Sequence, residues 1–268
     1  AYEEGARNLD SNRSNVSATR SDLITNFRVR RARLGVEGTF SKYLGIKVEA
    51  DFGEGSAVLV DGWAELNYWS EARLRAGQFK VPFSYEQLAS TRFLEFVERS
   101  VMNNLVPAYD LGAMLHGTLF GGVMEYGVGI FNGRGQNAAE TNDSKDLAGR
   151  LLVRPLKLLN LRDLGELHLA GHVTHGDQDV TPAPSPAPAN SLQGQTDGRF
   201  VFFPRIPTRG DRLRYGFEAV YAYGPFGLYG EYVKTEEERN LGPHGANLGD
   251  LEAQGWYVVG SVFLTGEE

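Results

Sequence analysis

The stretch RLRYGFEAVYAYGPFGLYGEYVKTE, residues 212–236, decides the fold class. Read two by two, Leu213, Tyr215, Phe217, Ala219, Tyr221 and Tyr223 fall on one face, and Arg212, Arg214 and Glu218 on the other. A period of two belongs to a strand, not a helix. Pro225-Phe226 joins this run to a second one, Gly227–Glu236, with a link short enough for a hairpin.

Working outward, the same pattern predicts eleven strands. They are Ile24–Phe40, Gly45–Gly53, Val58–Trp69, Ala72–Val81, Tyr109–Phe120, Val123–Phe131, Asp146–Pro155, Glu166–Gly176, Arg212–Gly224, Gly227–Glu236 and Ala253–Thr265. The links alternate in length. Ser41–Leu44, Ser70-Glu71, Gly121-Gly122 and Pro225-Phe226 are short, and Leu156–Gly165 is modest. Pro82–Ala108, Asn132–Lys145, Asp177–Asp211 and Glu237–Glu252 are long. Short turns at one end and long loops at the other suit an antiparallel up-and-down transmembrane β-barrel. A soluble up-and-down barrel shares the pattern, whereas a β-sandwich has no reason to segregate its loops.

The faces are consistent along the chain. Ile46, Val48, Ala50 and Phe52 oppose Lys47, Glu49 and Asp51. Val58, Val60, Gly62, Ala64, Leu66 and Tyr68 oppose Asp61, Trp63, Glu65 and Asn67. Leu147, Leu151 and Val153 oppose Arg150 and Arg154. Eleven or more strands enclose more volume than small side chains fill, so the charged face is expected to line a wet interior and the apolar face to meet lipid. Composition agrees. There are 268 residues, 41% of them hydrophobic, with a formal charge of −7 and no cysteine. The acidic balance argues against nucleic-acid binding, and the absence of Cys removes disulfides, cysteine–zinc sites and thiol catalysis. No run of about 18 apolar residues exists to form a spanning helix, which leaves a barrel open.

Four segments carry a family resemblance. They are Phe27–Arg33 followed by Gly35 and Gly38, Arg75–Glu86, Phe96–Ser100, and Gly255–Tyr257 through Leu264–Glu267. In this order they resemble the phosphate-selective porin O and P family of Gram-negative outer membranes. The resemblance implies a sixteen-stranded barrel, usually a homotrimer, whose third loop folds inward and narrows the pore. On this chain that constriction loop is 82–108. Residues 1–268 then form a single porin domain incomplete at both ends, with 1–23 an extracellular loop, one strand missing before Phe27 and about four after Thr265. The implied partners are inorganic anions such as phosphate, outer-membrane lipid and lipopolysaccharide, and the implied location is the bacterial outer membrane.

An anion pore needs fixed positive charge along its lining, and arginine offers forked donors that match phosphate. The candidates on charged faces are Arg31, Arg33, Arg73, Arg75, Arg150, Arg154, Arg212 and Arg214, with Lys80 and Arg92 near or within the constriction loop. The alternative for each is a cross-strand ion pair, with Glu37, Glu49, Asp51, Glu65 and Glu218 available. Arg28 and Arg30 share parity with Leu34 and Val36 and are expected to point outward, toward lipopolysaccharide phosphates. Glu98-Arg99 is expected to tie the loop to the wall as a self-neutralising pair. His168 and His172 share a face but stand ~13 Å apart, too far for one metal ion, and His175 faces the other way. No catalytic motif is present, no cofactor is called for, and the protein is not expected to be an enzyme. Three readings compete: an anion- or phosphate-preferring channel, a non-selective general porin, and a structural or partner-binding barrel within a larger envelope complex.

Overall fold

A computed structural model describes residues 29–90, 94–138, 143–178, 191–196, 200–240 and 248–264. The expected extracellular loop at 1–23, Arg28, Arg92 and the Pro-rich stretch Thr181–Asn190 lie outside the described residues. The chain folds into β1 (Arg33–Phe40), β2 (Leu44–Asp51), β3 (Val58–Trp69), β4 (Ala72–Lys80), β5 (Tyr109–Leu119), β6 (Met124–Phe131), β7 (Asp146–Val153), β8 (Glu166–Asp177), β9 (Ser191–Gln195), β10 (Val201–Pro207), β11 (Asp211–Tyr223), β12 (Phe226–Glu237) and β13 (Leu251–Val262). Eleven of these make one antiparallel sheet in the order β1 to β8, then β11, β12 and β13, each paired with its sequence neighbour in that order. All eleven strands expected from the sequence are present. From Val29 to Ala32 the chain is not strand, although the Phe52 N–H donates to the Ala32 carbonyl at 2.8 Å and the Ala32 N–H to Asp51 at 2.9 Å, so among the described residues the first strand begins at Arg33. Among the described residues no helix is long and apolar enough to cross a membrane.

The turns explain the alternation. Ser41 and Lys42 take positive φ (47° and 72°) between β1 and β2, and Gly224 (φ 51°) turns β11 into β12. Such turns match the right-handed twist of two-stranded hairpins. At the other end β9 and β10 form a separate hairpin inside the loop between β8 and β11. This hairpin was not expected. Pro204 and Pro207 sit within β10 and demote a strand reading from sequence.

One parity expectation is corrected. β3 carries a bulge, with Glu49 opposite Asp61 but Ala50 opposite Leu59. Leu59, not Val58 or Val60, therefore continues the apolar face above the bulge. Elsewhere the faces hold. Phe217, Leu147, Val36 and Trp256 are 60–78% exposed, while Glu218, Glu231 and Arg212 are buried. A soluble protein does the reverse, and an apolar outer face over a charged inner face is the arrangement of a strand wall set in lipid.

Polar groups are buried because the segment after β4 folds across the inner face. Phe79, Val81, Phe83, Met102, Met114, Phe131, Ala148 and Val233 form one apolar core. Three of them, Val81, Phe83 and Met102, come from that segment. The close approach needs glycine: a Cβ at Gly255 would stand 2.9 Å from Met102 Cγ. A helical turn, Tyr85–Leu88, starts at Ser84, whose hydroxyl accepts the Gln87 N–H at 3.3 Å. Phe83 is fully buried, and its replacement by Ala should cost about 3–5 kcal/mol. Urea unfolding of the detergent-folded protein should show this as a lower midpoint with the barrel wall still formed.

Candidate functional site

The inner face below the loop encloses a cavity of about 650 Å³ lined in part by Arg33, Lys47, Arg73, Arg75, Lys80, Arg99 and Arg150. What matters is which of these cations already has a counter-charge. Arg33 Nε lies 3.1 Å from Asp51 and Nη1 3.4 Å from Glu49. Lys47 lies 2.8 Å from Asp61. Arg75, directly opposite Glu65 in the β3–β4 register, binds it at 2.6 Å and stacks on Trp63 with 4.2 Å to the ring centre. His116 shares the same Glu65 at 2.8 Å. Arg150 is ion-paired with Glu218. Register sets Arg33 directly opposite Asp51 and Arg75 directly opposite Glu65, about 5 Å apart on one face, while Lys47 reaches Asp61 on the diagonal and Arg150 reaches Glu218 across β8.

Beyond this cavity the pattern continues. Arg154 binds Glu125 at 2.6 Å and the Gly122 carbonyl at 2.8 Å, near the short-turn end of the wall. Arg212 binds Asp146 at 2.6 Å near the long-loop end. Arg31 lies 3.8 Å from Glu98, and Arg30 pairs with the same carboxylate. Arg30 thus turns to the loop, not outward to lipid as its parity suggested, because the backbone there is not strand. Glu98 ties the loop to the chain ahead of β1, while Arg99 bonds elsewhere, so the two do not neutralise each other.

Among the described residues, Arg73, Lys80, Arg99 and Arg214 touch no carboxylate. Lys80 Nζ donates to the carbonyls of Leu88 (3.0 Å) and Ala89 (3.1 Å). Arg99 donates from Nε to Glu86 O (2.9 Å) and from Nη2 to Ala89 O (3.3 Å). Two cations therefore converge on one carbonyl oxygen, each with N–H donors to spare. Burial, with Arg31 close by, pushes the Arg99 guanidinium below its ordinary value despite Glu86. Its charge is held against that cost, and an anion beside it relieves the cost. Arg214 lines a second, smaller cavity of about 200 Å³ with Arg212 and Thr174.

Sequence reasoning marked Lys80 but not the way Arg99 joins it. The missed signal is Ser84-Tyr85-Glu86-Gln87, a helix-start pattern that aims the Leu88 and Ala89 carbonyls at Lys80.

An open-ended antiparallel wall with an apolar exterior, a charged interior and an inner loop defines a porin. The family model for phosphate-selective porin O and P matches residues 7–268, nearly the whole chain, and the chain belongs to this family. It is an outer-membrane-type diffusion channel. Among curated proteins none matches the chain.

Glu65 neutralises Arg75, so Glu65→Gln should raise anion over cation permeability about two- to fivefold, as expected for up to ~1 kcal/mol from one uncovered charge. Reversal potentials across planar bilayers in a salt gradient measure it.

Proposed function

We propose that this porin resides in the bacterial outer membrane and passes anions of the phosphate class, with Lys80 and Arg99 as the step at which the anion is held. The observation that carries this is the convergence of both side chains on the Ala89 carbonyl with no carboxylate in contact. Two fixed cations with free N–H donors replace part of an anion's lost hydration, and the guanidinium fork suits oxygens of a tetrahedral oxyanion.

Arg73 stands on the wall of the same cavity toward the short-turn end and Arg214 toward the long-loop end, so each end of the path carries a cation with no carboxylate in contact. Arg31, Arg33, Arg75, Arg150, Arg154 and Arg212 line the path with their charge balanced by carboxylates. In this reading they shape and stiffen the wall and add little field. Arg92 stays a candidate by its position in the loop. Segment 82–108 acts as the constriction. In this reading the apolar exterior meets lipid, lipopolysaccharide and the other subunits of a trimer, and the edges of β1 and β13 are kept from lipid, where unpaired strand edges are not tolerated.

The balance of most lumen charges is the specific observation that favours a non-selective porin. The two readings separate cleanly. Lys80→Ala and Arg99→Ala should each lower anion over cation permeability about fivefold and weaken the block of chloride current by added phosphate. Removing the pair at position 150 as a unit, Arg150→Ala together with Glu218→Gln, should change selectivity less than about twofold, because no net charge is lost. Equal effects at all three positions, or no competition between phosphate and chloride in the wild type, would leave the general porin ahead.

A further inference from the structure

Beneath the root of the loop, three buried polar atoms face one another without hydrogen-bond partners: His172 Nε2, Glu218 Oε2 and Glu231 Oε1. Ligand atoms of these three residues lie within 4.8 Å of one another. The side chains of His172 and Glu231 have no solvent exposure and that of Glu218 has 3%. Glu218 and Glu231 are direct partners in the β11–β12 register, where two like charges repel. The site is built for the imidazole: a Cβ on Gly216 would stand 2.7 Å from His172 Nε2.

The His172 Nε2 to Glu231 Oε1 distance of 3.5 Å would suit two ligands of one metal ion. The other ring nitrogen excludes this. Nδ1 accepts the Ser84 N–H at 3.2 Å, so the neutral ring carries its proton on Nε2 and has no lone pair there to offer. A metal-bound His instead donates from its second nitrogen.

We propose that Glu218 and Glu231 share a single proton, and that this proton locks the loop root, Phe83 to Ser90, onto the wall. The groups around the pair support it. From β7, Arg150 supplies one positive charge, to Glu218. From β13, the Tyr257 hydroxyl donates to Glu231 Oε2 at 3.1 Å. From the loop, the Ser84 hydroxyl donates to the same oxygen at 3.0 Å. The Glu86 carboxylate is turned away, accepting the N–H and hydroxyl of Ser100 at 2.8 Å each, while its backbone N–H is directed at Glu231. On β12, Tyr229 donates to Glu95 at 2.5 Å, and Tyr85 packs against its ring. Phe83 seals the site, 4.0 Å ring to ring from His172.

With one shared proton the two carboxyls and one guanidinium are neutral together. Without it the enclosed group carries a net negative charge out of water, which is costly. The lock is therefore complete at low pH and lost as pH rises. Ser84, held at φ 64°, is then free to leave its strained conformation.

Amide hydrogen exchange of residues 83–90 in the detergent-folded porin tests this. After correction for intrinsic exchange, wild-type protection should fall about tenfold between pH ~6 and pH ~9, while Glu231→Gln stays flat. Glu218→Gln should also stay flat, and it decides the matter if Glu231→Gln fails to fold. A pH-independent wild type, or the same fall in a folded variant, overturns the lock. The inference uses the constriction reading for its consequence alone: exchange reports the lock whether or not this loop carries selectivity, so failure here and failure at Lys80 are distinguishable.

Discussion

A strand that faces lipid must keep charge off its outer face, because a bare charge at mid-membrane costs a few kcal/mol. Alternation then forces charged side chains of such strands inward. The interior of this wall consequently receives arginines and carboxylates at about the same height on neighbouring strands. Arg75 meets Glu65, and Arg33 meets Asp51, because the register leaves them opposite one another. Crowding of charge also lets one loop lie against the wall, since carbonyls, hydroxyls and carboxylates are on offer across it.

In the proposed function that loop changes which cations matter. Left to the strands, the interior is close to charge-balanced and would discriminate weakly between ions. The segment after Lys80 brings Arg99 to the wall and holds it through backbone carbonyls, which orient a guanidinium without neutralising it. Ser84 places those carbonyls by turning the chain at φ 64° and capping the helical turn. Phe83, Val81 and Met102 supply the apolar contacts that keep the segment in place. Selectivity in this account is thus a property of packing as much as of charge: a loosened loop takes Arg99 with it.

Much of the wall was legible in the sequence, because period two, turn residues and alternating loop lengths all speak about neighbours in the chain. Leu213 through Tyr223 named the lipid face of β11 unaided. The bulge at Val60 was not legible, since one extra residue leaves no local mark. The β9–β10 hairpin was hidden by Pro204 and Pro207. At the site, sequence gave the cations but not their partners. Whether Arg150 meets a carboxylate depends on a strand 68 residues away, the one bearing Glu218. The same holds for His172, whose meeting with Ser84 spans 88 residues.

The most direct test of the account is to locate the anion. Arsenate, a tetrahedral oxyanion with a usable anomalous signal, can be soaked into crystals of the folded porin. The account predicts a peak within about 2.7–3.2 Å of donors on both Lys80 and Arg99. Peaks confined to Arg150, Arg154 or the outer rim, with the Lys80–Arg99 position empty, would contradict it.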